Sequence, residues 1–331
     1  EALRRRGVEV TFAGSRVRVE AQLVPEHGYP FDAFAITGFP RRPGPDQLRA
    51  VVLAAAAPVA CLRIIERRKP DVVLGGGGYV AGPMVLAARL RGIPAALTEA
   101  DAHLGLANRL AAPFAERVFL ALPVPGRNGA KYVAVGRPVP ARSHAAPRAQ
   151  ARERLGLPAD GSVVLVFGGS LGARVLNELA VTTWAEAGPA VIHLCGQRDY
   201  ASLRDRVSRP GYVLLPFLDE IGVAYGAADV ALARAGGSVW ELAAAGLPAV
   251  LVPGDFATGG HQRKNADWFV RAGGAVVVPE SEVERVPETV AALLAAPKRL
   301  AAMSAAMRAA AKPDAAERIA DELVELAAAH R

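Results

Sequence analysis

Four short stretches of this 331-residue chain combine small residues with groups that bind anions or sugar hydroxyls. The first, "DVVLGGGGYVAGP" (71–83), runs an apolar segment into Gly75, Gly76, Gly77 and Gly78, followed by Tyr79. Glycines between a strand and a helix let backbone N–H groups close on an anion at the positive helix end. A tight turn would account for one or two glycines but not for four. No GK[ST] follows, so this is not a Walker loop. The second stretch, "VVLVFGGSLGARVLN" (163–177), repeats the device with Gly168, Gly169, Ser170 and Gly172. Here the Ser170 hydroxyl can cap the helix while the glycines admit a phosphate. One such loop in each half of the chain points to two anion sites facing one cleft.

In "RAGGSVWELAAAGLPAVLVP" (234–253), Gly236, Gly237 and Ser238 open a helix with Glu241 in its first turn. A carboxylate there accepts two hydrogen bonds from a ribose diol, or simply stabilises the helix dipole. In "ATGGHQRKNADWF" (257–269), His261, Gln262 and Asn265 stand at i, i+1 and i+4 of a helix start. That spacing sets two amides toward sugar hydroxyls, or marks an ordinary polar helix start.

The elements that must position these groups are short β-branched runs, each followed by a Gly/Pro break and an alanine-rich helix. Strands are predicted at 8–13, 72–74, 95–97, 118–120 and 132–135, then at 163–167, 191–194, 212–215, 230–233, 249–252 and 275–278. Such alternation implies parallel sheets buried on both faces, the doubly wound α/β class, with ligands beyond the strands' C-terminal ends. Pro83 is expected in the first turn of the helix that follows the four glycines. "GRPVPARSHAAPRAQ" (136–150), with three prolines, reads as a linker over 138–149 between an N-terminal domain (1–137) and a C-terminal domain (150–331). In the closing helix (313–331), Ile319, Leu323 and Leu326 share one face, which can pack back toward the N-terminal domain. The opening "EALRRRGVEVTFAG" reads as a helix tail entering a strand. The strand and glycine turn that normally start such a domain are therefore expected outside this sequence.

Net charge is +7, unevenly spread. Residues 1–145 hold 20 Lys/Arg against 11 Asp/Glu, whereas 146–331 hold 19 against 21. A basic N-terminal half suits a phosphorylated substrate or anionic lipid. Nucleic acid is not expected, because no recognition motif accompanies the charge. Cys61 and Cys195 read as buried thiols, and no Cys/His/Asp/Glu cluster has metal-ligand spacing. The longest apolar run, 50–62, contains Pro58 and falls short of the about 20 residues of a membrane span. Residues 47–69 carry Leu48, Val52, Ala55, Val59 and Leu62 at helical spacing, flanked by Arg49, Arg63, Arg67, Arg68 and Lys69. That pattern fits an interfacial helix on anionic lipid, and equally a core helix with a solvated basic end.

In order along the chain, "LVPEHGYPF", "KPDVVLGGGGYVAGP", "GGSLGAR", "RAGGSVWELAAAGLPAVLVP", "HQRKNA" and "PDAAERIADEL" resemble the MurG family of glycosyltransferases. That family transfers N-acetylglucosamine from UDP-GlcNAc to lipid I, forming lipid II for peptidoglycan. The resemblance implies a GT-B fold: two Rossmann-like, doubly wound parallel-sheet domains facing a cleft, with the acceptor on the N-terminal domain and the donor mainly on the C-terminal one. It places Gly169 and Ser170 near the donor diphosphate and the Leu218 backbone on uracil. Gly237 and Ser238 approach the diphosphate, Glu241 the ribose, and Gln262 with Asn265 the GlcNAc hydroxyls. Gly77, Gly78 and Tyr79 take the lipid diphosphate and the neighbouring muramyl group. The implied partners are UDP-GlcNAc as a substrate, lipid I, the anionic cytoplasmic face of the cell membrane and other cell-wall synthesis proteins. No cofactor or metal is implied.

The chain departs from the family pattern at several points. The usual "HEQN" reads Thr98-Glu99-Ala100-Asp101, and "GNPVR" reads "GRPVP", so Pro140 replaces an arginine that Arg137 or Arg142 would have to supply. The "RxGAxT" helix start is one residue shorter. The family's N-terminal "GGTGGH"-type loop, with its candidate base, belongs to the segment expected outside this sequence. Asp101 and Glu99 are the base candidates that are present. Alternatives are another UDP-sugar enzyme of the same fold, such as a glycolipid glycosyltransferase or a UDP-GlcNAc 2-epimerase, and a non-catalytic UDP-sugar-binding fragment.

Overall fold

The computed structural model describes residues 1–38, 44–169, 172–254 and 261–330, without the side chains of residues 46, 49 and 261. The chain divides into two compact units, 1–137 with 314–331, and 138–313. Among the described residues of both, every ladder between strands is parallel.

The first unit pairs β1 (Phe12–Ser15) with β2 (Phe31–Phe34). A second sheet runs β3 (Val73–Gly75), β4 (Ala95–Glu99), β5 (Arg117–Leu120), β6 (Tyr132–Ala134) in that order. Its helices are α1 (Ala2–Arg5), α2 (Glu20–Glu26), α3 (Pro45–Arg68), α4 (Gly78–Leu90), α5 (Leu106–Ala111) and the C-terminal helix Ala315–Ala329. Strand alternation sends Val118 and Leu120 into one core with Cys61, Ile64 and Val85, from α3 and α4. Phe119 and Ala96 point to the other face, where Ile319, Leu323 and Leu326 of the C-terminal helix cover them. Ion pairs from Arg5 and Arg6 to Glu317, and from Arg117 to Glu322, hold that helix in place.

Two expectations are corrected, and one strand is added. The strand predicted at 8–13 begins only at Phe12, because the ladder to β2 starts there, opposite Phe31. β2 itself was not predicted, since Asp32 interrupts its apolar run. Asp32 is buried all the same, because Arg67 and Arg68 of α3 meet it at 2.5 and 2.7 Å. Burial pushes its carboxyl up, but the two guanidiniums outweigh this and hold it below the ordinary range. Finally, α4 begins at Gly78, so Pro83 lies inside the helix rather than in its first turn.

α3 has one face in the core and another in solvent. Ala50, Ala57, Cys61, Ile64 and Ile65 face the core, while Leu48, Val52 and Val59 are 69%, 58% and 54% exposed. Among the described residues, no single helix is long and apolar enough to cross a membrane.

The second unit is one six-stranded sheet ordered β12-β11-β10-β7-β8-β9. Its strands are β7 (Val163–Phe167), β8 (Ala190–Leu194), β9 (Tyr212–Leu215), β10 (Val230–Ala233), β11 (Ala249–Leu251) and β12 (Ala275–Val277). The helices are α6 (Arg148–Arg154), α7 (Arg174–Trp184), α8 (Gln197–Leu203), α9 (Ile221–Ala227), α10 (Ser238–Ala245), α11 (His261–Arg271), α12 (Val286–Leu294) and α13 (Pro297–Ala310). Val164 and Val166 pack with Leu176 of α7 and Val290 of α12. Phe167 sits 6.1 Å from the Tyr225 ring of α9. Chain order reverses between β7 and β10, which makes the loops after these two strands neighbours at a topological switch point.

Two buried polar assemblies brace this unit. Arg152 donates to the carbonyls of Ala227, Pro158, Ala159 and Gly161, and to Asp229. His193 lies between the Tyr212 hydroxyl (2.9 Å) and Asn177 Oδ1 (3.0 Å). The Asn177 amide nitrogen donates to Cys195 O and Asp199, so its oxygen is left to accept from His193 Nε2–H, and His193 Nδ1 accepts from Tyr212. Burial pushes the His193 imidazole down to about 4.

Because that value is depressed below the about 6.5 of an unfolded histidine, the unfolded chain takes up the proton first as pH falls. Stability is thus lost between about pH 6.5 and about 4, with about 2 kcal/mol of the loss falling between pH 7 and 5. His193→Gln should remove that component. All three tryptophans, Trp184, Trp240 and Trp268, lie in this unit, so urea melts followed by their fluorescence measure it.

Candidate functional site

The first unit holds a pocket of about 350 Å³ at the C-terminal ends of β3 and β4. One wall is Gly76–Gly78 and the other is Thr98–Asp101, with residues 105–108 as the floor. Three of the four glycines have a structural reason to be glycine. A Cβ at Gly75 would stand 2.7 Å from Leu97 Cδ2, so its place is set by packing. Gly77 and Gly78 have φ of +91° and +69°, a left-handed turn that swings the chain into α4. That turn puts the positive end of a 13-residue helix at the pocket.

Glu99, 8% exposed, organises the opposite wall. Its Oε1 accepts the Asp101 N–H at 3.2 Å, and its Oε2 accepts the Gly105 N–H and Asn108 Nδ2, both at 2.9 Å. Asn108 Nδ2 also donates to the Thr98 carbonyl. Asn108 is 3% exposed, and its Oδ1 has no hydrogen-bond partner. Sequence reasoning missed Asn108; the available signal was an amide in line with Leu104 and Ala111 on the apolar side of a short helix. The structure thus brings Gly77, Gly78, Glu99 and Asp101 together. Tyr79 is not part of the lining: its ring lies under Gly38 and its hydroxyl accepts Arg18 Nε–H at 2.9 Å.

In the second unit, Gly169, Gly237 and Ser238 lie on the two switch-point loops, and Gly237 caps the N-terminus of α10. Ser170 lies outside the described residues. Leu218 is half-buried between β9 and α9. Gln262 Oε1 accepts the Gly254 N–H at 2.8 Å, which fixes its carboxamide, and Asn265 is buried one turn further along α11. Glu241, in the first turn of α10, accepts Ser143 Oγ–H and the Tyr225 hydroxyl, each at 2.9 Å. Burial, with Glu241 beside it, pushes the Tyr225 phenol well above its ordinary range, so Tyr225 remains a donor. Neither Ser143 nor Tyr225 stood out in the sequence.

The stretch read as a linker groups with this unit and lies along α9. Of the arginines near Pro140, Arg142 is 3.6 Å from Asp219, and Arg137 belongs to the first unit. Arg234 at the end of β10 donates to the Val252 carbonyl and to Glu280. Among the described residues, no group of three or more His, Cys, Asp or Glu is placed to hold a metal ion.

Glycine loops at the C-terminal ends of parallel strands, one set in each of two Rossmann-like units, are anion-binding devices, and the comparisons place the chain among glycosyltransferases of the GT-B class. The glycosyltransferase family 28 N-terminal domain matches residues 1–120 and the family's C-terminal domain matches 163–319. A Methylococcus capsulatus protein is 40% identical over 340 residues, spanning 99% of this chain and 93% of its own. A Nocardioides protein is 40% identical over 98% of this chain and 92% of its own. Both are named UDP-N-acetylglucosamine–N-acetylmuramyl-(pentapeptide) pyrophosphoryl-undecaprenol N-acetylglucosamine transferase. The crystal structure of Acinetobacter baumannii MurG superposes with a TM-score of 0.76 at 28% identity, covering 98% of this chain and 93% of that one. The chain belongs to the MurG family.

If Glu99 and Asn108 hold the 99–105 loop, Asn108→Ala should loosen it while leaving the sheet intact. Amide hydrogen exchange at Asp101 and Gly105 is expected to accelerate about tenfold or more, as for loss of a hydrogen bond to a charged group. Unchanged protection at both amides would show that the loop is held otherwise.

Proposed function

We propose that this protein is an inverting N-acetylglucosaminyltransferase that moves GlcNAc from UDP-GlcNAc to the C4 hydroxyl of the muramyl residue of lipid I, forming lipid II for peptidoglycan synthesis. Family membership carries this reading: relatives 40% identical across nearly the whole chain are named for that transfer. The chemistry of the two units supports it.

On the donor side, backbone N–H groups at Gly169, Gly237 and Ser238, with the positive end of α10, suit the diphosphate that leaves as UDP, to which Ser170 is assigned by its motif. Leu218 is assigned to uracil, Glu241 to the ribose, and Gln262 with Asn265 to the sugar hydroxyls. On the acceptor side, Gly77 and Gly78 at the N-terminus of α4 suit the lipid pyrophosphate, while Tyr79, outside that pocket with Arg18 on its hydroxyl, is left to the neighbouring muramyl group. The attacking hydroxyl needs a proton acceptor. Glu99 already accepts three N–H groups, so Asp101 is the carboxylate we assign to that hydroxyl. No cofactor enters the scheme.

Lipid I is membrane-bound, so the enzyme must work as a peripheral protein at the cytoplasmic membrane face. The outward stripe of α3, Leu48, Val52 and Val59, with Arg63 and Lys69 exposed beyond it, supports docking on anionic lipid.

Radiolabelled GlcNAc should pass from UDP-GlcNAc to a lipid I analogue; turnover of the donor alone to an epimer would overturn the assignment. Gly78→Val places a β-branched residue at φ +69°. The KM for the lipid I analogue should rise about tenfold or more, while calorimetric affinity for UDP-GlcNAc stays within about twofold. Lost donor affinity would instead move that loop to the donor. The wild-type protein should co-sediment with phosphatidylglycerol-containing vesicles at low salt, and less so as salt screens the charges. The triple variant Leu48→Asp/Val52→Asp/Val59→Asp should not. Absence of wild-type binding at low salt would exclude docking through this face.

A further inference from the structure

Glu241 is held from one side. Ser143 Oγ and the Tyr225 hydroxyl both donate to its Oε2, and neither engages Oε1. Ser143 is 1% exposed and Tyr225 2%, so packing fixes both donors. Tyr225 is carried by α9 with its ring against Phe167. Ser143 has no long helix or strand to carry it; it lies on a single short turn, Ala141–Ser143.

What delivers Ser143 is a close approach of backbone to helix. A Cβ at Gly222 would stand 1.9 Å from the His144 carbonyl oxygen, and one at Gly226 would stand 2.0 Å from the Ala146 carbonyl oxygen. These glycines, four apart on α9, lie on one face and form a groove that any side chain would fill. The Ala146 N–H donates to the Gly222 carbonyl at 3.0 Å and locks the segment into that groove. One helix therefore brings two hydroxyls to a single carboxylate oxygen, Tyr225 directly and Ser143 through the segment it seats.

We propose that Ser143 and Tyr225 are positioning residues for nucleotide recognition: by occupying Oε2 they fix the Glu241 carboxylate and present Oε1 to the ribose diol of the donor. This rests on the reading above in which Glu241 takes the ribose. A carboxylate held by two donors cannot swing about its terminal torsion, so less orientational freedom is lost when the diol binds. If the two hydroxyls merely tied α9 to α10, removing them would affect any donor equally, with or without ribose hydroxyls.

That difference is measurable. Initial rates at saturating lipid I analogue would be compared for UDP-GlcNAc and its 2′,3′-dideoxyribose counterpart, using the wild-type chain, Ser143→Ala, Tyr225→Phe and Glu241→Gln. Each hydroxyl deletion should raise the KM for UDP-GlcNAc about three- to tenfold and keep kcat within about twofold. The KM for the dideoxy donor should be unchanged in both. An unchanged KM for UDP-GlcNAc, or an equal rise for both donors, overturns the positioning role. Glu241→Gln tests the underlying reading separately. Should it weaken both donors equally, Glu241 does not hold the ribose and both readings fall. Should it discriminate between the donors while the hydroxyl deletions do not, only the positioning role falls.

Discussion

Parallel strand pairing is the constraint on which the rest of this structure depends. When every strand in a sheet runs the same way, all strand-to-helix turns collect along one edge, and the connecting helices must cross back over the faces. In the second unit this forces the turns after β7 and β10 to lie side by side, because chain order reverses between them. In the first unit it puts the turns after β3 and β4 around one pocket. Both faces of each sheet must then be covered. That requirement explains why a helix from the far end of the chain belongs to the first unit: without Ile319, Leu323 and Leu326, the face carrying Ala96 and Phe119 would meet water.

Covering both faces also buries polar groups, and each has to be satisfied where it lies. Asp32, Arg152 and His193 are satisfied completely by close neighbours, which ties particular helices to particular strands. The two site carboxylates use the same device to different degrees. Glu99 has both oxygens engaged by N–H donors and so shapes a loop. Glu241 has one oxygen engaged by two hydroxyls. A fully satisfied carboxylate has little left to offer a ligand, whereas a half-satisfied one is oriented and still an acceptor.

Helix α3 carries a second apolar face besides the one in the core. Small residues, with Cys61, two isoleucines and Leu62, face the core, and Leu48, Val51, Val52 and Val59 face outward. An apolar stripe beside exposed basic residues is costly to leave in water. It lies on the unit with the basic charge balance, where an anionic lipid acceptor has been proposed.

Much of the fold was legible from local pattern. β7, β9 and β10 have the bounds that their apolar runs predict, because a strand buried on both faces leaves an uninterrupted β-branched signature. β2 was not legible, since Asp32 breaks its run and the two arginines that permit its burial come from 35 and 36 residues away. Pro83 misled for a similar reason: proline marks a favoured helix position, but not where the left-handed turn at Gly77 and Gly78 starts the helix. By itself the sequence determined the parallel α/β class, the glycine loops and the family motifs, all of which depend on residues close together in the chain. Only the tertiary structure decided that α3 turns Leu48, Val52 and Val59 outward, that Asn108 holds Glu99, and that Ser143 and Tyr225 meet on Glu241, 98 and 16 residues away. Those contacts depend on which backbones can approach one another, and no local periodicity records that.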